Sequence, residues 1–139
     1  MTDKKAAPII IHGIDHARAA LSVAAKLDVS LTLLSAPSAA AYLGSTVFRD
    51  IISEAHKDYP GVSVTAVLDC GDEPGMAMAA MRHGIKAVRI SNPPEIRAKL
   101  ADIADQRGVV VFEYDGPVLD LLDMTNPAAA CLTWLAHPA

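Results

Sequence analysis

The sequence predicts an α/β protein, and three observations predict it. Short apolar runs rich in β-branched residues or leucine alternate with longer segments of helical character, as βα units around a mainly parallel sheet do. Gly84 and Gly108 each separate a helical segment from the next apolar run, where a left-handed cap belongs. Pro37, Pro93, Pro117 and Pro127 fall near helix starts, where a missing N–H costs nothing. At 139 residues the chain can bury a core without disulfides or metals, so residues 1–139 are expected to form a single α/β domain. The expected architecture is a three-layer sandwich of about five parallel strands with flanking helices, in the flavodoxin-like or Rossmann-like manner. A half (βα) barrel that dimerises is the alternative, because helix–glycine–strand junctions occur in both. A complete eight-stranded barrel would need about 200 residues or more.

The apolar runs, in order, are PIIIH (8–12), VSLTLL (29–34), VSVTAVL (62–68), IKAVRI (85–90) and VVVFEY (109–114). The first and last are almost wholly apolar, as strands covered on both faces are. The second and third carry Ser30 and Thr32, then Ser63 and Thr65, and are expected nearer an edge. Helices are expected in the segments between the runs, with Gly44-Ser45 breaking or bending the second of them. The stretch after Pro117 reads as two short helices divided at Asn126-Pro127. RHGIKAVRISNP (82–93) aligns without gaps on QRGVVVFEYDGP (106–117), which sets Arg89 over Glu113. If those strands are neighbours in that register, the two charges pair across them.

Composition excludes several classes. A formal net charge of −4 with no basic stripe argues against nucleic-acid binding. Cys70 and Cys131 are too few for a disulfide framework and lack metal-binding spacing, which suits a reduced, cytoplasmic setting. No segment has the length of a membrane span or a signal-peptide core, so no membrane partner is expected. The chain is 52% hydrophobic and only 4% aromatic, and its mean hydropathy of +0.29 is high for a soluble domain. Some of that apolar surface is expected to meet a partner subunit, in a homo-oligomer.

In open parallel sheets, ligands bind beyond the carboxyl ends of the strands. The polar residues there are His12, Asp15 and His16; Ser35 and Ser38; Asp69, Cys70 and Asp72; Ser91 and Asn92; Glu113 and Asp115. Helices begin at the same edge, so Asp15, Asp72 and Asn92 are expected as helix caps as well as candidate ligand contacts. Asp69 stands before its turn, and either binds backbone N–H groups or faces a site. A helix start favours a Cys70 thiolate, but two acidic neighbours oppose it. His12 and His16 do not share one helical face, and no metal site is assigned. Met76, Met78 and Met81 read as filling for a core or an interface, and Trp134 as the anchor of a terminal helix.

No GxGxxG follows the first run, and GxxxxGK[ST] and GxSxG are both absent. The acidic end of the third run invites comparison with phosphoacceptor receiver domains, but the acidic pair and the lysine such domains need are missing. The sequence therefore predicts a small-molecule-binding domain with a polar, acidic site, Asp69 and His12 being its main anchors. Its ligand would be neutral, cationic or held through a metal; no cofactor is identified. An enzyme of lyase or isomerase type acting on a small polar metabolite is the second possibility, with Asp69 or His12 as acid–base group. An oligomeric interaction protein is the third.

Overall fold

A computed structural model describes residues 7–136. In chain order the elements are β1 (Ile9–Ile11), α1 (Ile14–Leu27), β2 (Leu31–Ser35), α2 (Ala39–Tyr42), α3 (Ser45–His56), β3 (Val64–Asp69), α4 (Pro74–Arg82), β4 (Ala87–Arg89), α5 (Pro94–Gln106), β5 (Val110–Val111), β6 (Leu119–Asp120) and α6 (Pro127–Ala136). The strands form one six-stranded parallel sheet in the order β5-β4-β3-β2-β1-β6, flanked by helices, so the chain is an α/β protein.

Two expectations about the strands are corrected. The fifth run is an edge strand of two residues, with Val110 58% exposed, while the second and third runs lie in the interior of the strand order. A very short edge strand needs no polar face to resist further pairing. Residues 117–126 do not form a helix, because Leu119 and Asp120 pair with β1 as a sixth strand. No periodicity can emerge from two residues.

Contacts divide the chain into two compact units, Met1–Leu34 with Ile51–Thr65 and Gly116–Ala139, and Ser35–Asp50 with Ala66–Asp115. In the first, β1 pairs with β6 through Ile9–Leu119 and Ile10–Asp120. Helix α1 buries Ala17, Ala20, Leu21, Val23 and Ala24, a stripe at helical spacing, and packs along α6. Cys131 and Leu135 are the buried residues of α6, so Cys131 is a core residue. Trp134 donates its indole N–H to the carbonyl of Ala7 at 3.1 Å, which docks the terminal helix on its own chain.

In the second unit, β3, β4 and β5 pair through Val67–Ala87, Asp69–Arg89 and Ala87–Val110. Gly44, at φ +90°, separates α2 from α3 as the sequence predicts. Helices α4 and α5 both close with the paired bonds of a Schellman motif. Gly84 N–H reaches Met81 O while Ile85 N–H reaches Ala80 O, and Gly108 and Val109 repeat the arrangement on Asp105 and Ala104. Ile85 and Val109, the residues after the glycines, are buried, so each cap also fixes where the next strand enters the core.

Continuing the β4–β5 register from Val88–Val111 sets Arg89 beside Phe112, not Glu113. The gap-free alignment is therefore out by one residue, enough to turn a side chain to the other face of the sheet. Glu113 instead pairs with Arg97 on α5, while Arg89 donates to the carbonyl of Tyr114 at 3.3 Å.

Candidate functional site

The turn after β3 carries three of the sequence candidates, Asp69, Cys70 and Asp72. Asp69 closes the strand, and its Oδ1 accepts from the backbone N–H of Ser38 at 3.0 Å and of Gly71 at 2.9 Å. Its own N–H donates to the hydroxyl of Ser35, a buried side chain, at 2.8 Å. Ser35 and Asp69 thus work together, tying the end of β2 to the end of β3. Of the two roles open to Asp69, bracing backbone N–H groups is the one its geometry occupies.

Gly71 takes φ +60°, and a Cβ there would fall 2.6 Å from Ser38 Oγ, so the two loops meet closely. Cys70 is buried, and burial, with a smaller push from the Asp69 charge, lifts its thiol to about 12. A thiol so placed carries almost no thiolate at neutral pH, and nucleophilic chemistry by Cys70 has no support in its surroundings.

The expected caps are corrected here. Helix α4 starts at Pro74 with Glu73 in the cap position, and no side chain caps it. Asp72 is exposed, and its carbonyl accepts from Asn92 Nδ2 at 2.8 Å. Asn92 is therefore spent on that bond, and Pro93 stands at the cap of α5. Proline at the first helical position removes one of the donors a cap would have to satisfy. Gly13 holds the cap position of α1, and Asp15 sits in its first turn, where a carboxylate meets the helix dipole favourably.

His12, His16 and Asp15 are brought together around that helix start. His16 accepts the backbone N–H of His12 on Nδ1 at 3.0 Å, and the two rings meet edge to face with centroids 5.8 Å apart. This resembles a capping box displaced by one residue, with imidazole in place of glutamate. His12 Nε2 lies 2.7 Å from Asp120 Oδ1, at the end of β6. Desolvation raises the Asp120 carboxyl, but the N–H of Leu122 and the bond and charge of His12 outweigh it and hold the group below its ordinary value. Burial and then the charge of His12 lower His16, against the pull of Asp15 and Asp120. Among the described residues, no group of three His, Cys, Asp or Glu is placed to hold a metal.

A cleft of about 490 Å³ lies beyond β4 and β5, a volume in the range of small-molecule sites. Ser91 and Asp115, both named from the sequence, line it together with Arg89, Arg97, Glu113 and the rings of Phe112 and Tyr114. Arg97 spans it structurally, donating one guanidinium nitrogen to Ile90 O at 2.8 Å and another to Glu113. Ser91 N–H is bound to Gly71 O, which fixes one wall to the turn after β3. A smaller depression of about 190 Å³, between the end of α1 and Tyr59, lies among turn residues of the other unit.

Asp120 and Arg97 escaped the sequence reading, and Arg89 entered it only as a cross-strand partner for Glu113, not as a site residue. Asp120 was hidden because its strand is two residues long. The arginines were hidden because an acidic rim was read from the loops alone, without the last residue of β4 or the first turn of α5.

No protein-family model matches the chain, and no curated relative matches it. Solved structures do. One, a crystal structure from Coccidioides immitis provisionally described as a fructose-1,6-biphosphate aldolase, superposes with a TM-score of 0.62 at 18% identity. The match covers 91% of this chain and 52% of that one. The likeness is one of fold. This chain spans about half the length of the structure it matches. Among the described residues, no helix is long and apolar enough to cross a membrane.

Proposed function

We propose that the chain binds a small polar molecule in the cleft beyond β4 and β5. The observation that carries this is the cleft itself: a volume suited to a metabolite, at the carboxyl ends of parallel strands, where charged, hydroxyl and aromatic side chains converge. The site differs in character from the acidic rim expected of the sequence, because two guanidiniums line it beside two carboxylates. Mapping amide chemical shifts while adding mixed neutral, anionic, cationic and zwitterionic metabolites tests the proposal. Shifts concentrated at Arg89, Ser91, Phe112 and Tyr114 are expected, and a mixture that leaves all of them unmoved sinks it.

A second function, an enzyme of lyase or isomerase type, is favoured by the His12–Asp120 pair. A carboxylate 2.7 Å from the imidazole fixes the orientation of the ring, as acid–base work requires. The matched structure is described as an aldolase, so aldol cleavage comes first among the reactions to assay. Turnover that survives His12→Ala would exclude this assignment. The same proposal includes a homo-oligomer, on the exposed apolar residues near the C-terminus, and a reducing, cytoplasmic setting, in keeping with two buried free thiols.

A further inference from the structure

We infer that the ligand of the β4–β5 cleft is a small zwitterion of the α-amino acid class, an inference that rests on the binding function proposed above. Four charged side chains line the cleft, and they are not equivalent. Arg97 and Glu113 satisfy each other in an ion pair, and Arg97 is further committed to Ile90 O. Arg89 and Asp115 have no ion-pair partner among the described residues. The Arg89 side chain is half-buried, and the hydrogen bond it makes among the described residues is to a neutral carbonyl, that of Tyr114. The register neighbour of Arg89 on β3, Asp69, spends Oδ1 on two backbone N–H groups and makes no ion pair with it, so a carboxylate entering the cleft would give the guanidinium the bidentate bond it lacks.

The lining also limits what else can enter. Two positive and two negative side chains leave it neutral, and with Arg97 and Glu113 paired a simple anion such as phosphate gains at Arg89 what it loses at Asp115. A simple cation meets the converse. A ligand carrying a carboxylate for Arg89 and an ammonium for Asp115 completes both unpaired groups together. Phe112 and Tyr114 stack, with centroids 6.1 Å apart and planes at 24°, and add an aromatic wall for the rest of the molecule. That wall suits an apolar or aromatic side chain, with the ammonium able to gain further from a ring face.

The test is a calorimetric and NMR titration of the intact chain with free phenylalanine and leucine, beside their N-acetyl and methyl-ester derivatives, inorganic phosphate and acetate. The free amino acids are expected to bind and to shift Arg89, Ser91, Phe112 and Tyr114, with each blocked derivative weaker by about tenfold or more. Asp115→Asn is expected to remove the preference for a free amine, and Arg89→Met the preference for a free carboxylate. Because Arg89 also holds Tyr114 O, the blocked ligands keep the question answerable on the unaltered protein. Phosphate or acetate binding as tightly as the amino acids, indifferent to Asp115→Asn, would overturn the zwitterion while leaving the cleft as a binding site. If no compound of any charge class moved the cleft residues, the binding function itself would fall.

Discussion

Asp69 holds two backbone N–H groups with a single carboxylate oxygen, and one of them belongs to Ser38 at the far side of a neighbouring loop. Hydrogen bonds to a charged acceptor are worth about 1.5–3 kcal/mol each when the donors cannot find water instead. Asp69→Ala is therefore expected to lower unfolding stability by about 2 kcal/mol, and Asp69→Asn by less, since an amide oxygen still accepts. Urea midpoints measure both, and an unchanged midpoint for Asp69→Ala would mean that the carboxylate does not brace the turn. Gly71→Ala meets two costs at once, a left-handed backbone of about 1–2 kcal/mol and the Ser38 hydroxyl 2.6 Å from the new carbon. Adding Ser38→Ala to it should recover the steric part alone, because it removes the hydroxyl and leaves a side chain at Ser38, whose own φ is +56°. The cysteines give a third prediction at this scale. Burial lifts Cys70 to about 12 and Cys131 to about 11, so neither thiol should react with a disulfide reagent at pH 8 until the chain unfolds. Both folded values stand above the unfolded one, so this contribution to stability is complete at neutral pH and is lost as pH climbs from about 9 toward 12. The sequence shows that Asp69 needs a partner, and it offers two. It cannot show which, because the decisive donor lies on another loop.

At the scale of elements, the start of α1 behaves as a small pH-sensitive cap. His16 can accept the N–H of His12 only while its Nδ1 is unprotonated. Burial, followed by the charge of His12, sets its folded pKa below the ordinary 6.5. As pH falls below about 6.5 the unfolded chain takes up that proton first, so stability declines from there down to the folded value. His16→Leu should remove this portion of the acid dependence, seen as a smaller difference between urea midpoints at pH 7.5 and pH 5. An equal difference in both proteins would detach the histidine from the cap. Elements long enough to show a period, α1 and α5 among them, are legible in the sequence, as are the glycine stops after α4 and α5. The register of β4 on β5 is not. The matched flanks put Arg89 over Glu113, and the backbone puts it by Phe112. Similar caps fix the length of a βα unit only to within a residue, while the pleat distinguishes every residue from the next. That slip frees Arg89 from Glu113, and the proposed ligand follows from the charge it leaves unpaired.

For the whole molecule, strand order is what the sequence withholds, and it decides where the candidate groups fall. β1 to β5 follow one another without reversal, and β6 lies on the other flank of β1, so the direction changes at β1. His12 and Asp120 stand at the ends of those two strands, at the place where an α/β sheet tends to take its ligands. Hydropathy, by contrast, is a property of the whole chain that composition already shows. Its structural counterpart lies around and after β6: Val118, Leu122, Met124 and Leu132 are exposed by 37% to 54%. Leu132 belongs to α6, whose buried residues, Cys131 and Leu135, pack within its own unit. A second copy of the chain meeting that stretch would cover the exposed residues without disturbing the Trp134 anchor to Ala7. Light scattering is then expected to give at least twice the 14.6 kDa of one chain. Leu122→Lys with Leu132→Lys should return it to a single chain, while Val110→Lys, at the exposed sheet edge, should leave the assembly intact. If Val110→Lys dissociated it instead, the copies would be joined through β5, strand to strand. A single-chain mass for the wild type at every concentration would leave the apolar stretch to some other partner.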